Sequence, residues 1–251
     1  MAGDRDLPSI VLIHGSMDRQ AAFSRMARLL SSAFQVVTYD RRGYGKSTEQ
    51  RGPFSIDRQI ADLGDVLEYT EASGPVILVG HSFGGVVALA FAQRHPERVR
   101  GLVVYESPMS WEPWWPKSSG GSAAVAVSHD PEAAAETFLR RFIGDRRWDE
   151  LPEATKHQRR SEGEALVGEL SDIRTNKPWD LELVRSPLIA GFGTRSKPHL
   201  RSSAEILGNR ADCRVVELEG AHHNAHSGQP QDFVTRLIEP LARRLDQGIW
   251  S

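Results

Sequence analysis

The fold is decided by the stretch Val76-Ile77-Leu78-Val79-Gly80-His81-Ser82-Phe83-Gly84-Gly85-Val86-Val87-Ala88-Leu89. Its first part is a short apolar run, which predicts a buried strand, and its last part predicts a helix. The spacing G-x-S-x-G between them places Ser82 on a sharp strand-to-helix turn, where side chains at the flanking glycines would collide with backbone. Such a turn lifts the serine clear of the sheet, so Ser82 is a candidate nucleophile.

Two backbone N–H groups beside Ser82 are candidate donors to a developing negative charge. The Phe83 N–H lies at the N-terminus of the predicted helix, where the helix dipole adds to its effect. The turn His14-Gly15-Ser16 ends the first predicted strand and offers the Ser16 N–H, with Met17 as the alternative donor. Together these groups form a candidate oxyanion hole.

The remaining sequence alternates short apolar runs with longer amphipathic stretches, a pattern typical of repeated βα units. Strands are predicted over Ile10–His14, Gln35–Tyr39, Val76–Gly80, Val99–Tyr105, Leu188–Gly191 and Arg214–Leu218. Helices are predicted over Ala21–Ser31, Ser55–Ala72, Phe83–Gln93, Pro198–Leu207 and Gln231–Leu245. We therefore expect an α/β fold with a mostly parallel sheet of about six strands.

The alternation of apolar runs and amphipathic stretches is interrupted between the fourth and fifth predicted strands. We predict a core of residues 1–107 and 186–251 and a helical lid over residues 108–185, with helices over Pro131–Ile143 and Gln158–Leu170. The lid opens with Trp111, Trp114 and Trp115, which predict either an apolar or aromatic substrate pocket or ordinary lid packing.

A histidine-rich segment, Gly220-Ala221-His222-His223-Asn224-Ala225-His226, follows the last predicted strand. A loop histidine there could reach Ser82 and act as its general base. A metal site is the alternative for a cluster of three histidines. Because no carboxylate joins the segment and one histidine suffices as a base, we predict no metal site.

These motifs resemble the α/β-hydrolase superfamily, whose last catalytic loop often has the form G-x-G-H followed by a second histidine. The resemblance implies that His223 is the base, with His222 the weaker candidate because it replaces a usual glycine. The segment from Asp40 to Ser47 is similar to the D-x-R-G-x-G-x-S turn of many members, and we assign it a structural role. The N-terminal β-hairpin usual in the family is missing here.

The acid of the implied triad is not at its most common place, because Gly191 to Pro198 contains no carboxylate. Glu106 follows the neighbouring strand, and the ends of adjacent parallel strands lie about 5 Å apart. This resembles a subset of the superfamily, including some haloalkane dehalogenases, that carries the acid here. The alternatives are that Glu106 caps the lid or binds a lid arginine, and the reserve acids are Asp180, Glu112 and Asp212.

The resemblance implies a serine hydrolase that acts on a small apolar or aromatic carboxylic ester, thioester or lactone through an acyl-enzyme on Ser82. The same triad could instead serve C–C bond hydrolysis or a cyclase or lyase step. A catalytically weak ligand-binding protein of the same fold is the third hypothesis. A small-molecule substrate and no cofactor are expected.

The net charge of −2, without long runs of either sign, indicates no nucleic-acid partner. The charged N-terminus and the absence of long apolar runs predict a cytoplasmic protein without a membrane partner. Cys213 is the only cysteine, which excludes an internal disulfide. Without the hairpin, the strand Gln35–Tyr39 becomes a sheet edge, so we expect either a homodimer across it or shielding by the C-terminal tail.

Overall fold

The computed structural model describes residues 1–72 and 74–248 and contains a six-stranded sheet. Its strands are β1 (Ser9–Ile13), β2 (Gln35–Thr38), β3 (Val76–His81), β4 (Val99–Tyr105), β5 (Leu188–Gly193) and β6 (Cys213–Leu218). The order across the sheet is β2-β1-β3-β4-β5-β6, and every neighbouring pair is parallel. The predicted parallel sheet of about six strands is confirmed.

In the described part of the chain, helices lie between all successive strands, and five of them lie between β4 and β5. The helices are α1 (Ser24–Leu30), α2 (Ile56–Tyr69), α3 (Phe83–Arg94), α4 (Gly120–Ala126), α5 (Pro131–Ile143), α6 (Asp145–Asp149), α7 (Glu153–Arg160), α8 (Gly163–Thr175), α9 (Pro198–Leu207), α10 (Ala225–Gly228), α11 (Pro230–Phe233) and α12 (Glu239–Gln247). Short 3-10 turns precede α1 and β4, and a π-helical turn over Val234–Ile238 joins α11 to α12.

The central strands are apolar along their whole length because both of their faces are covered. Every residue of β1, β3 and β5 is buried, whereas burial alternates along the edge strand β6. One face of the sheet packs into a core that includes Ile10, Val79, Val103, Leu237 and Leu241. This rigid parallel sheet fixes the positions of the loops at its carboxyl edge.

The chain divides into two compact units. The first comprises Met1–Tyr39, Ile60–Pro108 and Pro178–Ser251 and contains the whole sheet, and the second comprises Asp40–Gln59 and Met109–Lys177. The range Met109–Lys177 lies within the predicted insertion over residues 108–185. The lid function of that insertion stays a prediction.

The second unit is held together around a buried ion pair. Arg41 donates to Glu169 through Nη1 at 2.7 Å and Nη2 at 3.3 Å, and both side chains are fully buried. The Tyr44 hydroxyl also donates to Glu169 at 2.7 Å, and burial together with this carboxylate raises the pKa of Tyr44 well above its ordinary value. A buried charge pair is tolerable only when its remaining hydrogen-bonding capacity is used in this way. The contacts support the structural role assigned to the segment from Asp40 to Ser47.

The helices of the second unit differ from the prediction at two places, since α4 was not predicted and one predicted helix is divided in two. The Ser/Gly stretch before Ala123 forms α4, since the Ser119 hydroxyl caps it by accepting a hydrogen bond from the Ser122 N–H. The predicted helix Gln158–Leu170 is two helices, α7 and α8. At their junction, a Cβ on Gly163 would lie 1.9 Å from the Pro131 carbonyl oxygen, so only glycine fits.

The predicted helix Gln231–Leu245 is interrupted by the π-helical turn before α12. Pro240 has no N–H to donate to the carbonyl of Arg236, and a proline ring crowds the preceding turn. The wider π-helical turn over Val234–Ile238 accommodates this defect. The chain then continues directly into α12 at Glu239.

The edge strand β2 is partly covered by the start of the chain. The Ala2 N–H donates to the Val36 carbonyl at 3.0 Å and the Val36 N–H donates to the Ala2 carbonyl at 2.7 Å, which makes one antiparallel bridge. Shielding by the C-terminal tail stays a prediction, and the last residues of the chain, 249–251, lie outside the described residues. A homodimer across Gln35–Tyr39 stays a prediction.

Candidate active site

Ser82 lies on the sharp turn between β3 and α3. Its backbone has φ 52° and ψ −123°, a conformation that costs a non-glycine residue of order 1–3 kcal/mol. The turn is possible because its neighbours are glycines: a Cβ on Gly84 would lie 2.1 Å from the Ile13 carbonyl oxygen, and one on Gly80 would lie 2.4 Å from that of Gly84. The Ser82 N–H donates to the Tyr105 carbonyl at 2.9 Å, which ties the turn to the end of β4.

Glu106 and His223 meet at the carboxyl edge of the sheet, although they are 117 residues apart in sequence. Glu106 directly follows β4, has φ 50°, and its carboxylate is fully buried. The distance from His223 Nδ1 to Glu106 Oε2 is 2.6 Å. Because a carboxylate accepts, His223 Nδ1 carries the proton and Nε2 is left as the basic nitrogen.

The Glu106 carboxylate is held in its ionised form by several donors. Oε1 accepts from the Gly193 N–H at 3.1 Å and from the Ser196 hydroxyl. Burial by itself would raise the pKa of Glu106, but the hydrogen bond and charge of His223, with the donors Ser196 and Gly193, lower it below the ordinary value. The pKa of the neighbouring Tyr105 is shifted upward instead, because burial and the Glu106 charge both disfavour its ionised phenol.

The loop that carries His223 is fixed to the Ser82 turn by His81. His81 Nε2 lies 2.8 Å from the His223 carbonyl oxygen, and the two rings are 4.7 Å apart between centroids. The Tyr105 hydroxyl donates to the His222 carbonyl at 3.1 Å in the same loop. The structure thus brings His223 beside Glu106 and attaches its backbone to the residue that precedes Ser82.

The turn after β1 passes directly beside Ser82, where the second oxyanion donor is predicted. A Cβ on Gly15 would lie 2.9 Å from Ser82 Cβ, so the backbone approach requires glycine. Ser16 follows this glycine, and Met17 has φ 57°, which turns the chain back sharply. Phe83 is the first residue of α3, as the sequence predicts. The donor roles of Ser16 and Phe83 stay predictions.

The other two histidines of the predicted loop have different surroundings. His222 has an exposed side chain, whereas His226 is 2% exposed and its Nε2 lies 3.0 Å from Asp18 Oδ2. The expectation that no carboxylate joins the histidine segment is therefore wrong. Asp18 was missed because it is 208 residues from His226 and no motif marks it.

The predicted pocket tryptophans all belong to the second unit. The rings of Trp114 and Trp115 are 5.8 Å apart, and Trp115 Nε1 donates to the Ser119 hydroxyl at 3.0 Å. Trp114 is 41% exposed, whereas Trp111 and Trp115 are half-buried. Their role in binding a substrate stays a prediction.

Of the reserve acids, Asp212 is paired with Arg210 at 2.5 Å.

In the comparison with known protein families, residues 10–236 match a model described as the alpha/beta hydrolase family. The chain belongs to this family. The match covers the six strands except Ser9 of β1, and it includes the Ser82 turn, Glu106 and the His223 loop. It confirms the resemblance and the fold class that the sequence predicts.

Several relatives of this alpha/beta hydrolase are known. Epoxide hydrolase 4 of Mus musculus is 33% identical over 109 residues, which are 43% of this chain and 30% of that protein. Pimeloyl-[acyl-carrier protein] methyl ester esterase of Chromobacterium violaceum is 29% identical over 253 residues, which are 93% of this chain and 94% of that protein. Family membership and the esterase relative support a hydrolase.

A solved structure shares the fold of this alpha/beta hydrolase. The thermophilic esterase from Thermogutta terrifontis superposes with a TM-score of 0.77 over 97% of this chain and 92% of its own, at 20% identity. At that identity the likeness concerns the fold alone. Among the described residues, no helix is both long and apolar enough to cross a membrane.

Proposed function

We propose that this chain is a serine hydrolase that cleaves carboxylic esters through an acyl-enzyme on Ser82. The observation that carries the proposal is the 2.6 Å contact between His223 Nδ1 and the buried Glu106, beside a serine on a strained turn with φ 52°. The His223 loop is attached to His81, the residue that precedes Ser82. A histidine oriented by a carboxylate is the group that activates a serine hydroxyl for attack.

In the first half-reaction, Ser82 Oγ attacks the ester carbonyl carbon while His223 Nε2 takes the hydroxyl proton. The carbonyl oxygen becomes an oxyanion, to which the Phe83 and Ser16 N–H groups donate. Glu106 holds the imidazole in the required tautomer and stabilises the imidazolium. When the tetrahedral intermediate collapses, the C–O bond to the alcohol breaks, and the alcohol leaves with the proton from His223.

In the second half-reaction, water replaces the alcohol. His223 takes a proton from water, and the hydroxide attacks the acyl carbon. Collapse of the second intermediate returns the proton to Ser82 Oγ and releases the carboxylic acid. No group beyond Ser82, His223, Glu106 and the two backbone donors is needed to balance these steps.

The serine at the turn separates this proposal from epoxide hydrolysis, despite the relative of that name. An alkyl-enzyme route needs a carboxylate nucleophile at the turn, and this chain has a hydroxyl there. The relative described as a methyl ester esterase, which matches over nearly its full length, favours ester chemistry. The tryptophans Trp111, Trp114 and Trp115 favour a small apolar or aromatic ester.

The test compares the wild-type chain with Ser82→Ala and with the control Ser31→Ala, which removes a hydroxyl that bonds only its own helix at Arg28. We expect a fluorophosphonate to label the wild type and the control once per chain by intact mass, and p-nitrophenyl acetate to be turned over by both. Ser82→Ala should lose labelling and at least about 10³-fold of the turnover. Turnover that persists in folded Ser82→Ala would contradict the proposal, and labelling without turnover would favour another reaction of the same triad.

A further inference from the structure

A second cluster of potential metal-ligating side chains lies close to the proposed triad and shares no residue with it. It consists of Asp18, His81 and His226, and one ligand atom of each lies within 4.8 Å of the others. Asp18 Oδ2 is 3.0 Å from His226 Nε2 and 3.9 Å from His81 Nδ1. The two imidazole rings are 3.9 Å apart between centroids. Both histidines are buried, whereas the Asp18 side chain is 27% exposed.

The hydrogen bonding of His81 leaves one nitrogen with a lone pair directed at this cluster. His81 Nε2 faces the His223 carbonyl at 2.8 Å, and since a carbonyl only accepts, Nε2 carries the proton. Nδ1 is then the unprotonated nitrogen, and it is buried without a hydrogen-bond partner. His81 is 4% exposed, so water does not readily satisfy this atom. A buried acceptor left in this state is costly unless a ligand uses it.

His226 can present a second nitrogen to the same point. Its Nε2 is the atom that faces Asp18, and its Nδ1 is buried without a hydrogen-bond partner. If the single proton of neutral His226 moves from Nε2 to Nδ1, Nε2 gains a lone pair and no proton leaves the ring. The cluster then offers two imidazole nitrogens and one carboxylate oxygen.

We propose that Asp18, His81 and His226 bind one divalent transition-metal ion of the Zn²⁺ type. Two histidines and a carboxylate are ligands that Zn²⁺ prefers, with water in the fourth position. Tetrahedral bonds of about 2.0–2.1 Å require ligand atoms roughly 3.3 Å apart. The observed separations of 3.0 and 3.9 Å lie on either side of that value. Small shifts of the Asp18 and His226 side chains would complete the geometry while His81 Nε2 keeps its bond to the His223 carbonyl, and the exposed edge of Asp18 is the route of entry.

The three ligands come from three segments that surround Ser82. Asp18 follows the turn that contains Ser16, His81 precedes Ser82 directly, and His226 lies in the loop of His223. A bound ion therefore crosslinks these segments, and it stabilises the folded chain by binding to it and not to the unfolded chain. Binding does not depend on the proposed ester hydrolysis, so it is measured without an activity assay.

The test is titration of the full-length, metal-free chain with Zn²⁺ by calorimetry, together with Co²⁺ titration followed by visible absorbance. We expect one equivalent of Zn²⁺ to bind, a Co²⁺ spectrum of four-coordinate type, and a rise in Tm with Zn²⁺. Asp18→Asn and His226→Gln should each weaken binding at least tenfold. The control His222→Gln removes an exposed histidine from the same loop and should bind as the wild type does.

The controls also define the results that would overturn the proposal. These are the absence of stoichiometric binding to the folded wild type, unchanged affinity in Asp18→Asn, or loss of affinity in His222→Gln, which would mean adventitious binding to surface histidines. Circular dichroism of each metal-free variant establishes that it is folded. Asp18→Asn is the variant least able to disturb folding, because its amide keeps an oxygen acceptor and nearly the same shape.

Discussion

Two carboxylate–histidine pairs lie at the carboxyl edge of the sheet, and their burial is reversed. In the pair Glu106–His223 the carboxylate is fully buried and the histidine side chain is 22% exposed. In the pair Asp18–His226 the histidine is 3% exposed and the carboxylate 27%. A buried acid with an accessible imidazole suits proton transfer to a substrate, whereas a buried imidazole suits an internal contact. The same two functional groups thus have different expected roles, and burial distinguishes them.

The largest expected effect separates the two histidines. His223→Gln removes the proposed base and should lower kcat for p-nitrophenyl acetate by about 10³-fold or more. His226→Gln changes a buried contact and should lower Tm. The factor by which it lowers kcat should be at least a hundred times smaller than the factor for His223→Gln. Steady-state kinetics, with circular dichroism to establish folding, measure both. Equal losses of kcat in the two variants would mean that the pairs do not differ in role.

The next effect separates the two carboxylates. Glu106→Gln keeps the shape but no longer fixes the imidazole tautomer, so kcat should fall by about 10²–10⁴-fold. Asp18→Asn should change kcat less than about tenfold, because Asp18 contacts neither Ser82 nor His223 in the proposed mechanism. Fluorophosphonate labelling rates measure the same difference independently of deacylation. A Glu106→Gln variant with nearly full activity would remove Glu106 from the triad.

The third prediction concerns stability in acid. The pKa of Glu106 is lower in the folded chain than its ordinary value of 4.5, so the unfolded chain binds its proton more readily. The stabilisation from ionised Glu106 is therefore complete above pH 4.5 and is lost as the pH falls through the lowered folded value. Urea unfolding between pH 7 and pH 3 should show a smaller loss of free energy in Glu106→Gln than in the wild type. Parallel curves would contradict this.

The smallest effect concerns Ser196, whose hydroxyl donates to Glu106 and accepts from the Gly193 N–H. Ser196→Ala removes one donor to Glu106, a bond of about 0.5–1.5 kcal/mol, so kcat/KM should fall by roughly two- to tenfold. The acid loss of stability should also be smaller and end at a higher pH, because the pKa of Glu106 in the folded chain moves back toward its ordinary value when a donor to its ionised form is removed. Ser31→Ala should leave both quantities unchanged. A shift in neither quantity would show that the Gly193 and His223 donors suffice.

The sequence predicted the features that depend on neighbouring residues. The turn at Ser82, the six strands and most helices follow from apolar runs and glycine positions, and the structure agrees on each strand to within two residues at either end. The prediction from sequence failed at the π-helical turn before Pro240 and at α4. At these two places a missing proline N–H and the Ser119 cap override a simple periodic pattern. Glu106 was selected by strand adjacency, and the structure places it beside His223.

The strained serine turn could be predicted from local sequence, because a backbone with positive φ between crowded neighbours demands glycines at fixed local positions. The pairing of each histidine with its carboxylate depends on how the chain packs in three dimensions. Glu106 and His223 are separated by 117 residues, and Asp18 and His226 by 208. Such partners are chosen by the order of the strands across the sheet and by which side chains the packed core excludes from water, and neither is written in a local pattern.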